Sequence, residues 1–145
     1  MLDPDNYEYL VLTGNILGAL DDTALAAEAL GYYDRAIRIE PENPDAYDSK
    51  SGVLMYWSEP PDEVEAERLA RKAATLAERA EEESELLALT YSNLFGILES
   101  RKKFAELRWT IRKALKRCPS EFLKDLAEAT LMRITIEESE ESNDP

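Results

Sequence analysis

The chain repeats itself, and the repeat limits what it can fold into. Ala36-Ile37-Arg38-Ile39-Glu40-Pro41 returns as Ala114-Leu115-Lys116-Arg117-Cys118-Pro119, an Ala-apolar pair followed by Pro at one offset. Ala73-Ala74-Thr75-Leu76 is a third copy between them, without the Pro. A second cassette keeps step with the first, pairing Tyr9 with Gly14, Tyr47 with Gly52 and Tyr91 with Gly96. Self-similarity at a period of a few tens of residues marks stacked supersecondary units, and helical periodicity within each copy makes each unit a pair of helices. Three units follow, over 6–40, 45–80 and 84–118, with a further helix over 120–137. Leu2-Asp3-Pro4-Asp5-Asn6 reads like the Pro-containing linker that ends a unit, which leaves open a longer array.

Most boundaries have a local cause. The first helix runs from Asn6 to Leu20, with Leu10, Gly14, Leu17 and Leu20 on its buried face. Asp21-Asp22-Thr23 ends it and offers N-caps to a second helix over Ala24–Ile39, whose stripe is Leu25, Ala29, Tyr33, Ala36 and Ile37. Pro41 stops that helix, and Pro44 suits the first turn of the next, Asp45–Trp57, where its missing N–H is not needed. Pro60-Pro61 breaks the chain again, and Asp62, Glu63 and Glu65 favour the positive end of a helix reaching Ala80. Glu81-Glu82-Glu83-Ser84 holds neither Gly nor Pro, so both a turn capped by Ser84 and one continuous helix remain open there. Helices over Glu85–Ser100 and Phe104–Arg117 come next. Pro119 ends the latter, and Ser120 caps a last helix to Glu137. That helix is expected to bury Phe122, Leu126, Ala129 and Leu131 and to turn Lys124, Asp125, Glu128 and Arg133 to solvent. Residues 138–145 are acidic and polar, with nothing to bury, and are expected to be a disordered tail after a repeat domain over 1–137.

Composition agrees with a helical globule: 44% hydrophobic, 33% charged, and only 5 Gly and 7 Pro. Acids outnumber bases 31 to 17. The formal charge of -14 repels phosphate backbones, so nucleic acid is not an expected ligand. Surplus Glu on solvated helix faces also serves solubility alone. Met1, Leu2 and Asp3 open an acidic segment and the first basic residue is Arg35, unlike a secretory signal, so the expected location is the cytoplasm. The uncharged stretch Tyr9–Leu20 is shorter than the ~20 residues a membrane span requires, and no membrane association is expected.

Cys118 is the only cysteine and His is absent, which removes disulfides, cysteine zinc cages, the usual general base and every His-activated nucleophile. No Gly-rich phosphate loop occurs, and acidic runs such as Glu81–Glu83 lack the apolar setting that splits carboxyl pKa values. Asp3-Pro4-Asp5-Asn6 has the alternating oxygens of a calcium loop but not its Gly and closing Glu. Cys118, between helix-end cations and a helix C-terminus, reads as structural. No enzyme activity, cofactor or metal is expected.

The repeated residues resemble tetratricopeptide repeats, whose unit is two antiparallel helices of about 34 residues. The third unit carries the likeness best, with Tyr91, Leu94, Leu98, Phe104, Leu107, Ile111, Ala114 and Pro119; Gly14, Tyr33, Ala36 and Pro41 carry it in the first. Three of the third unit's residues depart from it, Phe95 standing where a small residue is usual and Leu107 and Ile111 replacing Ala and an aromatic, and the second unit admits two registers one position apart. The resemblance covers residues 4–119. It implies an all-α fold, with helix pairs stacked as a right-handed superhelix, about seven helices with the cap, and a concave groove lined by the first helix of each pair.

The groove positions it implies are Glu8, Leu12 and Asn15, then Asp48, Ser49, Met55 and Tyr56, then Ser92, Asn93 and Glu99. Family members that grip a chaperone's terminal carboxylate use Lys, Arg and Asn there, whereas this chain shows Asn15 but otherwise Val11, Asp48 or Ser49, and Ser92. The implied partner is therefore a basic or amphipathic protein segment, since Glu8, Asp48 and Glu99 would repel an acidic one. A solvated polar face is the plain alternative for each residue. Tyr56 and Trp57 are adjacent on a helix and cannot both face the core, so at least one is a candidate anchor, with core or inter-helix packing as the favoured alternative for both, while Trp109 is expected to pack between its helix and the last one. The resemblance implies a protein-interaction adaptor, or alternatively a small acidic chaperone for a basic or aggregation-prone client; oligomeric state is open.

Overall fold

The computed structural model describes residues 3–80 and 84–143. Among these the only regular elements are helices: α1 (Tyr7–Gly18), α2 (Thr23–Ile39), α3 (Pro44–Tyr56), α4 (Glu63–Arg79), α5 (Ser84–Ser100), α6 (Phe104–Arg117) and α7 (Glu121–Asn143). The predicted all-helical class and helix pairs are what the structure shows. The Glu81-Glu82-Glu83 boundary, with its question of continuity, lies outside the described residues. The chain forms two compact units, Met1–Glu81 with α1 to α4 and Glu82–Pro145 with α5 to α7.

In the first unit, side chains just outside each helix accept its otherwise unpaired first N–H groups. Asn6 accepts from Tyr9 N–H, Asp22 from Ala24 and Leu25, Asn43 from Asp45, and Asp62 from Glu65. α3 has a further, tertiary cap. The Ala46 N–H donates to the Tyr7 hydroxyl oxygen at 3.0 Å, tying α1 to the start of α3. Asp21, with φ at 47°, makes the left-handed step between α1 and α2. One cluster joins Tyr7, Leu10, Ala36 and Ala46, with Val11, Tyr32 and Ile37 against it. A second joins Ala26, Ala29, Tyr33 and Val53, with Leu17 and Leu30.

Small residues set how closely these helices meet. A Cβ on Gly14 would lie 2.6 Å from the Tyr33 ring, and one on Gly18 would lie 2.8 Å from Val53 Cγ2. Gly52, the expected counterpart of Gly14, has no atom within 4 Å of such a Cβ, whereas Ser51 is fully buried and donates its hydroxyl hydrogen bond to the Asp48 carbonyl. The tight position of α3 is thus Ser51, one residue before the glycine. Leu20, expected on the buried face of the first helix, is exposed, because the helix stops at Gly18.

The second unit is built on Leu87, Tyr91, Leu94, Phe95, Leu98, Leu107, Ile111 and Leu123, all buried. Tyr91 and Phe95 pack with ring centroids 6.2 Å apart, so Phe95, which departs from the repeat pattern, fills the core. Cys118 is buried. Ser120 caps α7 by accepting from Leu123 N–H. Two expectations for α7 are corrected. Its buried face is Leu123, Ala127, Thr130 and Ile134, a regular i, i+4, i+7, i+11 series, while Phe122 and Ala129 are exposed. The helix also continues through residues 138–143, where a disordered tail was expected, because Glu138 pairs with Arg108 and Glu137 and Glu141 pair with Lys102.

Candidate functional site

α1 and α3 lie side by side in the first unit and leave an open recess of ≈ 430 Å³ between them. Asn15, Gly18 and Ala19 of the α1 side face Ser49, Gly52, Val53 and Trp57 of the α3 side, with Tyr33 of α2 among them. Glycine at 18 and 52 keeps this space open, since larger residues would project into it. Burial pushes the Tyr33 phenol up to about 12, so it stays protonated near neutral pH and donates to Asn15 Oδ1 at 2.8 Å. With that oxygen engaged, Asn15 turns its amide N–H groups to the recess as donors, which suit a carbonyl acceptor.

Trp57 ends α3, and there its indole borders a second recess of ≈ 320 Å³ with Tyr56, Ser58, Glu59 and Pro61 and with Asp21, Asp22 and Thr23 from the α1–α2 turn. Tyr56 is 51% exposed and Trp57 42%, so neither of the adjacent aromatics enters the core. Three carboxylates surround this aromatic pair. The wider field has the same sign: residues 1–81 hold 18 Asp and Glu against 7 Lys and Arg, net -11, while residues 82–145 hold 13 against 10, net -3.

The sequence-derived groove residues divide. Asn15 and Ser49 meet in the first recess, and Tyr56 lies in its neighbour. Glu8 and Leu12 are exposed two turns and one turn, respectively, before Asn15 on the same face of α1. Asp48 is half-buried beside Ser49. Met55 is only 8% exposed and belongs to the core, because α3 turns residues 53–55 inward. In the second unit Ser92 and Asn93 are half-buried. Glu99 is held by Arg133 of α7 in a two-pronged pair at 2.8 and 3.0 Å, so it fastens helices together. Gly18 and Gly52 were missing from the sequence-derived set, and Trp57 stood outside the groove positions as a candidate anchor only. A second glycine one turn after Gly14 was the signal available for Gly18.

The second unit has its own recess, ≈ 490 Å³ and largely apolar, lined by Glu85, Ala88, Leu89, Ser120 and Phe122. Trp109, expected to pack beneath α7, is 58% exposed, and the Lys113 ammonium sits 5.7 Å from its ring centre. Among the described residues no three His, Cys, Asp or Glu side chains gather as metal ligands, and no helix is long and apolar enough to cross a membrane.

No protein-family model and no curated protein sequence matches the chain. Among solved structures, the N-terminal domain of stress-induced protein-1 (STI-1) from C. elegans is similar, with a TM-score of 0.64 and 18% identity over 86% of this chain and 96% of that one. At that identity the likeness is one of fold, and it agrees with the repeated helix pairs and the small residues at their crossings. The chain has the fold of tetratricopeptide-type helical repeats.

Proposed function

We propose that this chain is a protein-interaction module whose α1–α3 recess takes a basic or amphipathic segment of a partner protein. The observation that carries this reading is the recess itself: open, floored by glycines, offering the Asn15 amide, and ending at the exposed Trp57. Tyr and Trp are the residue types that dominate binding energy in such sites, because they bury much area at little cost in side-chain entropy. Asp21, Asp22 and Glu59 beside Trp57, within a unit of net charge -11, favour Lys or Arg flanking the ligand's apolar residue. Without histidine or a Gly-rich phosphate loop, the chain recognises its partner and leaves it chemically unchanged.

The test is peptide selection by phage display on the whole chain, repeated with Ser49→Lys and Trp57→Ala. Basic peptides with an apolar centre should be enriched by the wild type and lost with both variants. Failure of the wild type to enrich basic peptides, or equal enrichment of those basic peptides by all three proteins, would refute the reading. A chaperone for a basic client is the second reading, favoured by exposed Leu12, Ile16 and Leu20 in the same acidic unit. It requires the chain to suppress aggregation of a basic client at stoichiometric amounts.

A further inference from the structure

We infer that the outer face of α6 is a second docking surface, opposite in sign to the first, that binds a short acidic segment of a protein partner around Trp109. α6 buries Phe104, Leu107, Thr110, Ile111 and Ala114. At 100° per residue, Trp109 points away from them, with Lys116 and Lys113 to either side and Arg112 and Arg117 beyond, an arc of about 140° and roughly 12 Å along the axis. All five side chains are exposed. From Phe104 to Arg117 the helix carries five Lys and Arg against one acid, Glu106, inside a chain of net charge -14. Glu106 itself pairs with Lys103.

Helix-end cations alone would account for Lys116 and Arg117, which complement the dipole. They do not account for Arg112, Lys113 and a solvent-facing Trp in the preceding turns. Trp and Arg are the residues most enriched where interfaces hold tightly, and here the cations ring the indole as a polar rim rings an anchor. Acids already seat on neighbouring cations of this unit, Glu138 of α7 on Arg108, one turn before Arg112, and Glu141 on Lys102. The size of the patch selects the partner. Beyond the ~8 Å over which salt leaves charges visible, the acidic rest of the chain is screened from a short cluster of carboxylates. A phosphate polymer would run past the roughly 12 Å of cations and leave most of its charge unmatched.

The experiment uses the full chain and a short fluorescein-labelled peptide of glutamates around one phenylalanine, followed by fluorescence anisotropy and, in a Trp57→Phe background, by Trp109 emission. Binding should shift that emission. It should weaken tenfold or more in Arg112→Glu/Lys116→Glu, severalfold in Trp109→Ala and in the milder Arg112→Gln/Lys116→Gln, and not at all in Arg38→Glu on the first unit. Equal binding by all variants would overturn the inference, as would tighter binding of an oligothymidylate than of the peptide. Sedimentation that rises with concentration in the wild type but not in the charge-reversed variant would overturn it too, by making a second copy of the chain the occupant.

Discussion

Tyr33 is the side chain on which the first unit turns, and Gly14 is what lets it in. Replacing Gly14 by Ala improves helix propensity by about 1 kcal/mol but sets a methyl 2.6 Å from a ring that is fully buried and tied to Asn15. Overpacking at a rigid site costs about 1–3 kcal/mol, so the clash wins. Gly14→Ala should lower the denaturant midpoint, while Gly31→Ala, with no atom within 4 Å of the new Cβ, should raise it by an amount worth about 1 kcal/mol. Alkali probes the same residues. Burial raises the Tyr33 pKa to about 12 and holds that of Tyr7 well above the ordinary range, partly offset by the Ala46 N–H. The folded state keeps these protons after the unfolded chain, near 10, has lost them, so their stabilisation is whole below pH 10 and disappears as pH climbs toward 12. Phenolate absorbance should therefore show a late class of tyrosines that ionises with the loss of helical circular dichroism. Simple titration of all 7 before unfolding would contradict this.

Helix limits were legible because their causes are local. Asn6, Asp22, Asn43, Asp62 and Ser120 each cap the helix that follows, and Pro44 opens α3 as its fixed φ requires. What escaped the sequence depends on distant partners. The last turns of α7 have no apolar residue to bury, and only the fold brings Arg108 and Lys102 to Glu138 and Glu141. The recess was half legible for a similar reason: Asn15 and Ser49 follow from helix position, whereas Trp57 enters it from the point where α3 ends. Exposed ion pairs each contribute about 0–1 kcal/mol and weaken in salt. Glu138→Gln/Glu141→Gln should accordingly raise amide exchange across residues 137–143 while leaving the melting temperature nearly unchanged. A large fall in melting temperature would mean those turns support the core.

Charge is spread unevenly over the whole chain, net -11 on residues 1–81 and -3 on 82–145. Like charges in one compact unit oppose its folding, and raising salt from ~10 mM to ~150 mM shortens their reach from about 30 to 8 Å. Melting temperature should rise over that range, and less steeply for Asp21→Asn/Asp22→Ser, which should already melt higher at ~10 mM because it removes two acids while keeping a residue able to cap α2. A falling melting temperature would show that the ion pairs outweigh the repulsion. The indole of Trp57 belongs to two recesses at once, one between α1 and α3 and one at the α1–α2 turn. An occupant that moved this ring in one recess would change the wall of the other, so whatever fills either space is felt in both through a single side chain.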